Sequence, residues 1–394
     1  MTNADNEYDV VIAGGGLVGL SLAAALGKAD FSVAVLEARE PVRDWPADSV
    51  DLRVYAITRA SQRLFESVGA WSAIEPHAGP FRDMRVWDAG GTGDIHFSSA
   101  DLGEPYLGHI IESRVIETAL LDVVDSLPAV QRLCPAVVQG FESGDEQQTV
   151  ELEDGRRLTA KLLVGADGKA SRIRDQTGIK VRAADYGQQA LVAVVSTGRP
   201  HEETAWQRFL PTGPLAFLPL ADGRSSIVWS ATSHEAERLL ALDETEFCAE
   251  LTRAFDRRLG EVTGCGERVL FPLRRQHAER YIAPRIALVG DASHVIHPLA
   301  GQGVNLGLKD AGELAATLSD ARARERDIGS MPVLRRYERA RRGDNAAMML
   351  AMDGFKHLFG SRIPPLRWMR NAGLNLVDAA PLVKNQIMRS AMGL

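Results

Sequence analysis

The sequence predicts an α/β protein with an inserted antiparallel β-sheet and a helical C-terminal region. Three observations support this fold class. A strand–turn–helix–strand unit opens the chain, short β-rich segments occupy its middle, and helical periodicity continues beyond Pro332. The 394 residues are 45% hydrophobic and 25% charged, a globular composition that excludes a disordered, collagen-like or disulfide-scaffold protein.

The N-terminal unit consists of two strands and a helix joined by a glycine turn. Tyr8–Ala13 is a short β-branched apolar run, typical of a buried parallel strand, and Ser32–Glu37 is a second strand that ends on an acid. The turn after the first strand has the pattern G-x-G-x-x-G and leads into a helix rich in small apolar residues.

Each glycine of this turn has a physical reason. The first makes the tight turn, the second lets a pyrophosphate approach the backbone, and the third lets the helix pack closely on the strand. The acid that ends the second strand can accept hydrogen bonds from ribose hydroxyls. The sequence therefore predicts a Rossmann-like dinucleotide site, with a purely structural glycine turn as the alternative. The residues predicted to contact the ligand are Gly14, Gly16, Leu17, Val18, Gly19, Glu37 and Ala38.

Two later segments also end an apolar strand on glycine and aspartate. Leu162–Gly168 ends in Asp167-Gly168, a pair that on its own indicates a turn. Ala287–Ala292 contains Gly290-Asp291, and this acid could accept a bond from a ribityl or ribose hydroxyl or cap a helix.

The three motifs in this order resemble the single-component FAD-dependent aromatic hydroxylases built like p-hydroxybenzoate hydroxylase. A longer segment, His297–Asp310, reads HPLAGQGVNLGLKD and resembles the fingerprint of the ubiquinone-biosynthesis hydroxylase family. Leu52–Ile57, Gly108–Glu112 and the final Ala391–Leu394 are similar to the same family. The resemblance covers essentially the whole chain.

The resemblance implies an FAD-dependent monooxygenase that uses O2 and either NAD(P)H or another electron donor. Its substrate would be a polyprenylated phenol or quinol on the way to ubiquinone, with C5 or C6 as the favoured ring position, oxidised through a C4a-hydroperoxyflavin. Two alternatives stay open: a flavin hydroxylase of a small soluble phenol, and a non-catalytic FAD-bound subunit of a biosynthetic assembly.

The resemblance also implies roles for individual residues. Arg53, His297 and Pro298 are the catalytic candidates. Arg53 would face flavin and substrate, and Pro298 would lie beside the isoalloxazine. Salt-bridge or structural roles are the alternatives for Arg53 and His297, and no metal site is predicted. The further FAD-binding candidates are Arg114, Asp167, Gly168, Gly290, Asp291, Gly301, Gln302, Gly303, Val304 and Asn305. The alternatives are a helix-surface charge for Arg114 and a helix-entry turn for Gly301 and Gly303. The glycine loop at 301–303 precedes a helix, whose free N–H groups favour the negative charge of a reduced flavin.

The domain limits follow from these motifs. We predict a discontinuous FAD-binding domain at 1–80, 104–182 and 275–335, a β-rich substrate domain at 81–103 and 183–274, and a helical region at 336–394. We expect this last region to be broken at Gly354, Gly360 and Pro364-Pro365.

Charge is distributed unevenly along the chain. The net charge is −7, which gives no reason to expect a nucleic-acid partner. Residues 331–394 contain 11 Lys/Arg and 4 Asp/Glu, a balance of +7, so the rest carries −14. The basic helices could contact an anionic membrane surface, a partner subunit or the body of the protein. A homo-oligomer and a ubiquinone-biosynthesis complex also stay open.

The cellular setting is predicted from cysteines and hydropathy. Three cysteines without a C-x-x-C spacing indicate neither a disulfide framework nor a zinc site and fit a reducing, cytoplasmic setting. The acidic N-terminus does not have the pattern of a secretory signal, and no apolar run approaches about 18 residues, so we expect no membrane span. Peripheral contact with the inner face of a membrane stays open.

Overall fold

A computed structural model of the chain describes residues 6–46, 49–296, 302–360, 376–378 and 380–393. The strands are β1 Glu7–Ala13, β2 Val33–Leu36, β3 Val54–Thr58, β4 Gly79–Phe81, β5 Asp83–Asp88, β6 Asp94–Ser98, β7 Gly108–Glu112, β8 Val130–Leu133, β9 Val138–Ser143, β10 Gln148–Leu152, β11 Arg157–Gly165, β12 Val181–Thr197, β13 Thr204–Leu210, β14 Gly213–Pro219, β15 Ser225–Thr232, β16 Val262–Ala278, β17 Ile282–Ala283, β18 Ile286–Leu288 and β19 His294–Val295. The helices are α1 Leu17–Lys28, α2 Arg59–Val68, α3 Trp71–Ile74, α4 Ser113–Ser126, α5 Arg172–Gln176, α6 Ser233–Ala241, α7 Glu244–Ala254, α8 Gln302–Ala323, α9 Met331–Gly360 and α10 Pro381–Met392.

The first sheet contains the strands of the N-terminal unit. Its order is β17-β18-β11-β1-β2-β8. Strand β10 also pairs with β11, and β9 pairs with β10. The central pairs are parallel, and β1 and β2 are buried, as the continuous apolar sequence predicts. Helix α1 packs between this sheet, α4 and α8, because Leu20, Leu22 and Ala23 are fully buried.

The second sheet collects the β-rich middle of the chain. Its order is β19-β16-β12-β15-β14-β13-β5-β6, so segments 83–98 and 181–278 contribute to one sheet. Every pair in it is antiparallel except β5–β13, which is parallel. Helices α6 and α7 pack on β12, β15 and β16. The core between them includes Phe217 stacked on Phe255, with ring centroids 3.8 Å apart.

A third sheet of order β3-β7-β4 lies beside the second. Two of its strands, β3 and β7, come from the family-like segments at 52–57 and 108–112. Ile110 of β7 shares an apolar cluster with Val194 of β12 and with Leu220, which follows β14. This small sheet therefore connects the segment that contains Arg53 to the β-rich sheet.

The C-terminal helices pack on the body. Tyr337 of α9 is fully buried, and its hydroxyl donates to the carbonyl of Leu288 at 2.7 Å. Met388 and Met392 of α10 are buried in one cluster with Leu107. No helix in the described ranges is long and apolar enough to cross a membrane.

The predicted break at Gly354 is wrong, because α9 runs without interruption from Met331 to Gly360. A single glycine in an exposed helix costs only about 1 kcal/mol relative to alanine, which the helix-forming residues before it can offset. Gly360 is the last residue of α9 that the structure describes, and Pro364-Pro365 lies outside the described residues.

Candidate functional site

The three glycine motifs lie side by side at one edge of the first sheet. Strands β1, β11 and β18 are parallel neighbours, and their last residues are in register, Ala13 with Gly165 and Gly165 with Leu288. Because each motif follows the carboxyl end of its strand, the three turns open onto the same crevice. Open α/β sheets bind ligands at such an edge.

The glycines of the first turn have two different environments. Gly14 has φ +111°, and a Cβ there would lie 2.3 Å from the Ala166 carbonyl oxygen, while one at Gly19 would lie 2.0 Å from the Gly14 oxygen. A Cβ at Gly16 would meet no described atom within 4 Å. The first and third glycines are therefore required by packing, whereas the second faces open space that a ligand can fill.

The N-terminus of α1 provides the positive end of this crevice. Its N-cap is Gly16, with no side-chain cap, so the first backbone N–H groups, including those of Leu17 and Val18, have no capping acceptor. The side chain of Val18 packs inward, since a Cβ at Gly290 would lie 3.2 Å from it. An anionic group at this position would satisfy the free donors and interact favourably with the helix dipole.

Glu37 joins the glycine turn to the end of β2. Its Oε2 accepts from the Gly15 N–H at 2.8 Å, and its Oε1 accepts from the N–H groups of Ala38 at 2.8 Å and Arg39 at 3.2 Å. An ionised carboxylate offers about four acceptor positions. One therefore remains on Oε2, where a ribose hydroxyl could donate.

Asp167 has a free acceptor at the end of β11. Its Oδ2 accepts from the Ile173 N–H at 3.2 Å, but its buried Oδ1 has no partner within the described part of the chain. A buried unsatisfied oxygen is costly and calls for a donor. Gly168, at φ +78°, completes the turn.

Arg174 connects the second and third motifs, a contact that the sequence did not reveal. Its buried guanidinium donates through Nη1 to the carbonyls of Lys169 at 3.1 Å and Ala292 at 3.2 Å. The Asp167-Gly168 turn and the Gly290-Asp291 turn are therefore held together by one side chain.

Asp291 lies in the crevice itself. Part of its side chain is exposed to solvent. Surrounding protein atoms desolvate the carboxyl group and raise its pKa, and this effect outweighs the lowering of the pKa by His294 and Lys169. Desolvation also raises the pKa of Tyr55 on β3, and the charge of Asp291 adds to it. The positive charge of Arg53 lowers the same pKa, so Tyr55 lies within electrostatic range of both Asp291 and Arg53.

The two arginine candidates differ in their contacts. The Arg53 side chain is exposed and makes no hydrogen bond with a described residue. Arg114 donates through Nη1 to Ser49 Oγ at 2.7 Å, lies 2.8 Å from Glu112 Oε2 and covers the ring of Trp45. Arg53 is thus free for a ligand, whereas Arg114 is engaged with Ser49, Glu112 and Trp45.

Part of the predicted flavin loop lies beyond what the structure describes. His297, Pro298 and Gly301 fall outside the described residues, and Gln302 is described only as the first residue of α8. Gly303 and Val304 lie in the first turn of α8. Asn305 Oδ1 accepts from Ser61 Oγ at 2.7 Å, and its Nδ2 donates to the Ala56 carbonyl at 2.7 Å, so its side chain joins α8 to β3 and α2.

A buried polar cluster supports the third motif from behind. Asp310 of α8 is fully buried and accepts from the Gly290 N–H at 3.1 Å, from Arg341 Nε at 2.8 Å and from Asn345 Nδ2 at 3.2 Å. His294 Nε2 lies 2.5 Å from its Oδ2. Burial alone would raise the pKa of Asp310, but His294 and Arg341 outweigh it and lower that pKa.

Sequence reasoning missed this cluster, although one signal was available. Asp310 occupies a helix face whose other members, Leu306, Ala311 and Leu314, are buried and apolar. A charge at such a position must be paired. Its partner Arg341 belongs to the basic C-terminal region, so this part of the region packs on the body.

Comparison with known proteins identifies the family of the chain. Residues 7–350 match the model of the FAD binding domain family. The chain is 38% identical to 3-demethoxyubiquinol 3-hydroxylase of Escherichia coli over 100% of both chains. It is 39% identical to the ubiquinone hydroxylase UbiL of Rhodospirillum rubrum, over 99% of this chain and 91% of that one. The human ubiquinone biosynthesis monooxygenase COQ6 is 36% identical, over 99% of this chain and 93% of that one.

Solved structures share the fold. The p-nitrophenol 4-monooxygenase of Pseudomonas putida superimposes with a TM-score of 0.80 at 21% identity, over 98% of both chains. HpxO of Klebsiella pneumoniae, solved with FAD and uric acid, gives a TM-score of 0.75 at 19% identity, over 99% of this chain and 96% of that one. Together with the full-length relatives, these similarities show that the chain belongs to the FAD-dependent monooxygenases, within the ubiquinone-biosynthesis hydroxylase family.

Proposed function

We propose that this monooxygenase hydroxylates the aromatic ring of a polyprenylated phenol or quinol intermediate of ubiquinone biosynthesis, at C5 or C6. The observation that carries the proposal is the end-to-end similarity to the Escherichia coli 3-demethoxyubiquinol 3-hydroxylase, 38% over the whole of both chains. The electron donor is NAD(P)H or another reductant.

The described residues fit FAD at the edge of the first sheet. Open space at Gly16 and the free N–H groups of α1 suit a pyrophosphate, and the remaining acceptor position of Glu37 suits a ribose hydroxyl. The unpartnered Asp167 Oδ1 and the solvent-facing Asp291 suit further hydroxyl or N–H donors. Once reduced, FAD supplies the chemistry that transfers one atom of O2 to an electron-rich ring.

The protein's own task is to position the ring and exclude water. The Arg53 side chain is exposed and has no side-chain hydrogen bond or ion pair with a described residue, and we assign it to the flavin or to the substrate oxygen. The remaining assignments at His297, Pro298, Gly301, Gln302, Gly303 and Val304 rest on the family resemblance. The predicted domain limits likewise remain part of this proposal.

The proposal includes peripheral contact with a membrane, because a polyprenylated substrate is dissolved in the bilayer. Large apolar side chains are exposed on α10 and just before it, with relative exposures of 70% for Leu376, 87% for Leu382 and 51% for Val383. Such a concentration on one short segment favours a membrane or a protein partner. A second copy of the chain or a subunit of a biosynthetic complex is the competing occupant.

Mass spectrometry of quinone intermediates in a strain lacking the gene tests the proposed substrate. We expect a polyprenylated compound that lacks one ring hydroxyl to accumulate, and the wild-type gene to remove it. The retained substituents identify the ring carbon. If the purified protein binds FAD but the deletion strain accumulates no such compound, the polyprenyl substrate is wrong and a small soluble phenol replaces it. A protein that binds no FAD would exclude both enzyme functions.

A further inference from the structure

A second cleft lies away from the edge of the first sheet. It has a volume of about 400 Å³, lies where the β12–β16 ribbon meets α9, and is lined by Arg182, His277, Glu279, Arg280, Glu338 and Arg342. The volume falls in the range of small-molecule sites, roughly 300–1,000 Å³. None of the described residues assigned to FAD lines it.

The cleft has more positive than negative charge. Its three guanidinium groups face two carboxylates, a balance of +1 with His277 neutral. Both carboxylates are engaged: Glu279 Oε1 lies 3.3 Å from Arg182 Nε, and Glu338 Oε1 accepts from the Tyr281 N–H at 2.9 Å. Arg280 and Arg342 have no hydrogen-bond or ion-pair partner within the described ranges.

The environment of His277 shows the same excess of positive charge. Its Nε2 lies 2.9 Å from the Tyr281 hydroxyl. Burial lowers the pKa of His277, and the positive charges of His294, Arg342 and Arg182 lower it further. Arg182 of β12 and Arg342 of α9 therefore bring positive charge to this imidazole, beside the carboxylates of Glu279 and Glu338 that line the same cleft.

We propose that this basic cleft binds an organic phosphate, held by the guanidinium groups of Arg280 and Arg342. Guanidinium groups bind phosphate oxygens through paired, charge-assisted hydrogen bonds. The charged lining suits a phosphate group with a polar carrier. The same phosphate chemistry could come from a nucleotide or from a lipid headgroup.

The cleft lies behind the Asp310 cluster. Tyr281 connects the two, since its hydroxyl meets His277 on one side and Asn345 Nδ2 on the other, at 3.3 Å. Asn345 in turn reaches Asp310, which holds the Gly290 N–H. The site is therefore distinct from the FAD crevice and separated from it by this row of side chains.

Isothermal titration of the FAD-loaded protein with sodium pyrophosphate tests the proposal, because bound FAD keeps the first crevice filled. We expect saturable binding, weakened roughly tenfold by Arg280→Gln and by Arg342→Gln, since each removes one charged hydrogen-bonding group. Arg335→Gln is the control, because it removes the same charge from an exposed position of α9 outside the cleft. We expect that variant to bind like the wild type.

Two further measurements make the result decisive. Pyrophosphate should raise the pKa of the His277 imidazole, followed by NMR, because an anion stabilises its protonated form. A preference for NADPH over NADH that disappears in the double arginine variant would assign the phosphate to a nucleotide. Arginine-dependent retention on phosphatidylglycerol but not phosphatidylcholine vesicles would assign it to a lipid. Pyrophosphate binding that is absent, or unchanged in a folded, FAD-loaded double variant, would overturn the proposal.

Discussion

At the residue scale, the glycine turn separates packing from ligand binding. Gly14 and Gly19 lie against backbone atoms of the protein itself. The space beside Gly16 contains no described atom within 4 Å of the position that a Cβ would take. Glycine is therefore required by packing at Gly14 and Gly19 and by the space for a ligand at Gly16. Substitution at each position should therefore fail in a different way.

We predict that Gly16→Val abolishes FAD retention and leaves the melting temperature of the FAD-free protein nearly unchanged, because its side chain occupies only the space assigned to the pyrophosphate. Gly19→Ala should instead destabilise the fold by about 1–3 kcal/mol through overpacking. Gly140→Val is the matched control, since Gly140 on β9 is equally open and lies outside the site. Flavin absorbance and thermal melts measure both effects. Normal flavin content in Gly16→Val would refute the pyrophosphate assignment.

His109 on β7 makes a second prediction, about pH. It is 5% exposed and packs its ring between Trp71 and Tyr106, at centroid distances of 5.1 and 4.2 Å. Burial lowers its pKa from 6.5 to about 4, and the charge of Arg59 adds to this. Below pH about 6.5 the unfolded chain therefore binds a proton that the folded protein accepts only near pH 4.

Stability should accordingly fall as pH decreases from about 6.5 to 4, with His109 contributing a loss on the order of 3 kcal/mol. His109→Phe keeps an aromatic ring but cannot titrate, so it should be more acid-tolerant than the wild type over this window. His234→Phe, at an exposed position on α6, should follow the wild type. Urea unfolding at several pH values measures this, and parallel curves for His109→Phe and wild type would contradict the prediction.

At the scale of elements, the helices around the third motif depend on one buried ion pair. Arg341 of α9 is 4% exposed, and its guanidinium meets the fully buried Asp310 of α8. Breaking a buried pair leaves an unpaired charge. Together with the buried Tyr337, this contact holds α9 on the body although the helix begins a strongly basic region.

We predict that Arg341→Met lowers the free energy of unfolding by about 3–5 kcal/mol, and that Asp310→Leu with Arg341→Met loses less than the sum of the two single changes. Arg336→Met, which breaks only an exposed pair with Asp320, should change stability little. The fold lowers the pKa of Asp310. The stabilisation that the ion pair provides is therefore fully present above the pKa of an unfolded aspartate, about 3.9. It is lost as the pH falls from there through the lower pKa of the folded protein and Asp310 becomes protonated. Additive effects in urea unfolding would show that the pair is not coupled.

Sequence patterns predicted some elements better than others. Strands β1 and β2 and the helix between them follow directly from an apolar run and small-residue periodicity. The long β16 was not predicted, because charged residues interrupt its pattern at Arg268, Arg274 and Arg275. The parallel β5–β13 pair joins segments more than a hundred residues apart, and no local pattern encodes such a pairing.

At the scale of the whole molecule, the charge asymmetry is partly accounted for by packing. Cations of the basic region pair with acids of the body, Arg341 with Asp310 and Lys384 with Asp101. These two pairs, between a region of net charge +7 and a body of net charge −14, help to hold the described C-terminal helices on the body. The apolar side chains of α10 remain exposed beside these pairs.

We predict that Leu382→Ser with Val383→Ser reduces co-flotation with phosphatidylglycerol vesicles several-fold while FAD content stays unchanged, because the exposed apolar area is what a bilayer would bury. Leu240→Ser, at a 37% exposed position on α6, is the control. Unchanged flotation would remove the membrane contact. A change of oligomeric state in the double variant would instead assign this surface to a second copy of the chain.

The sequence by itself determined the chemistry of this protein's cofactor, because the three glycine motifs and the segment His297–Asp310 are local patterns that constrain backbone conformation and family membership. Only the tertiary structure decided how those motifs meet: Ala13, Gly165 and Leu288 come into register although they are far apart in the chain. The same holds for the Asp310–Arg341 pair and the basic cleft. Residues distant in sequence become neighbours through sheet order and helix packing, which no single segment contains.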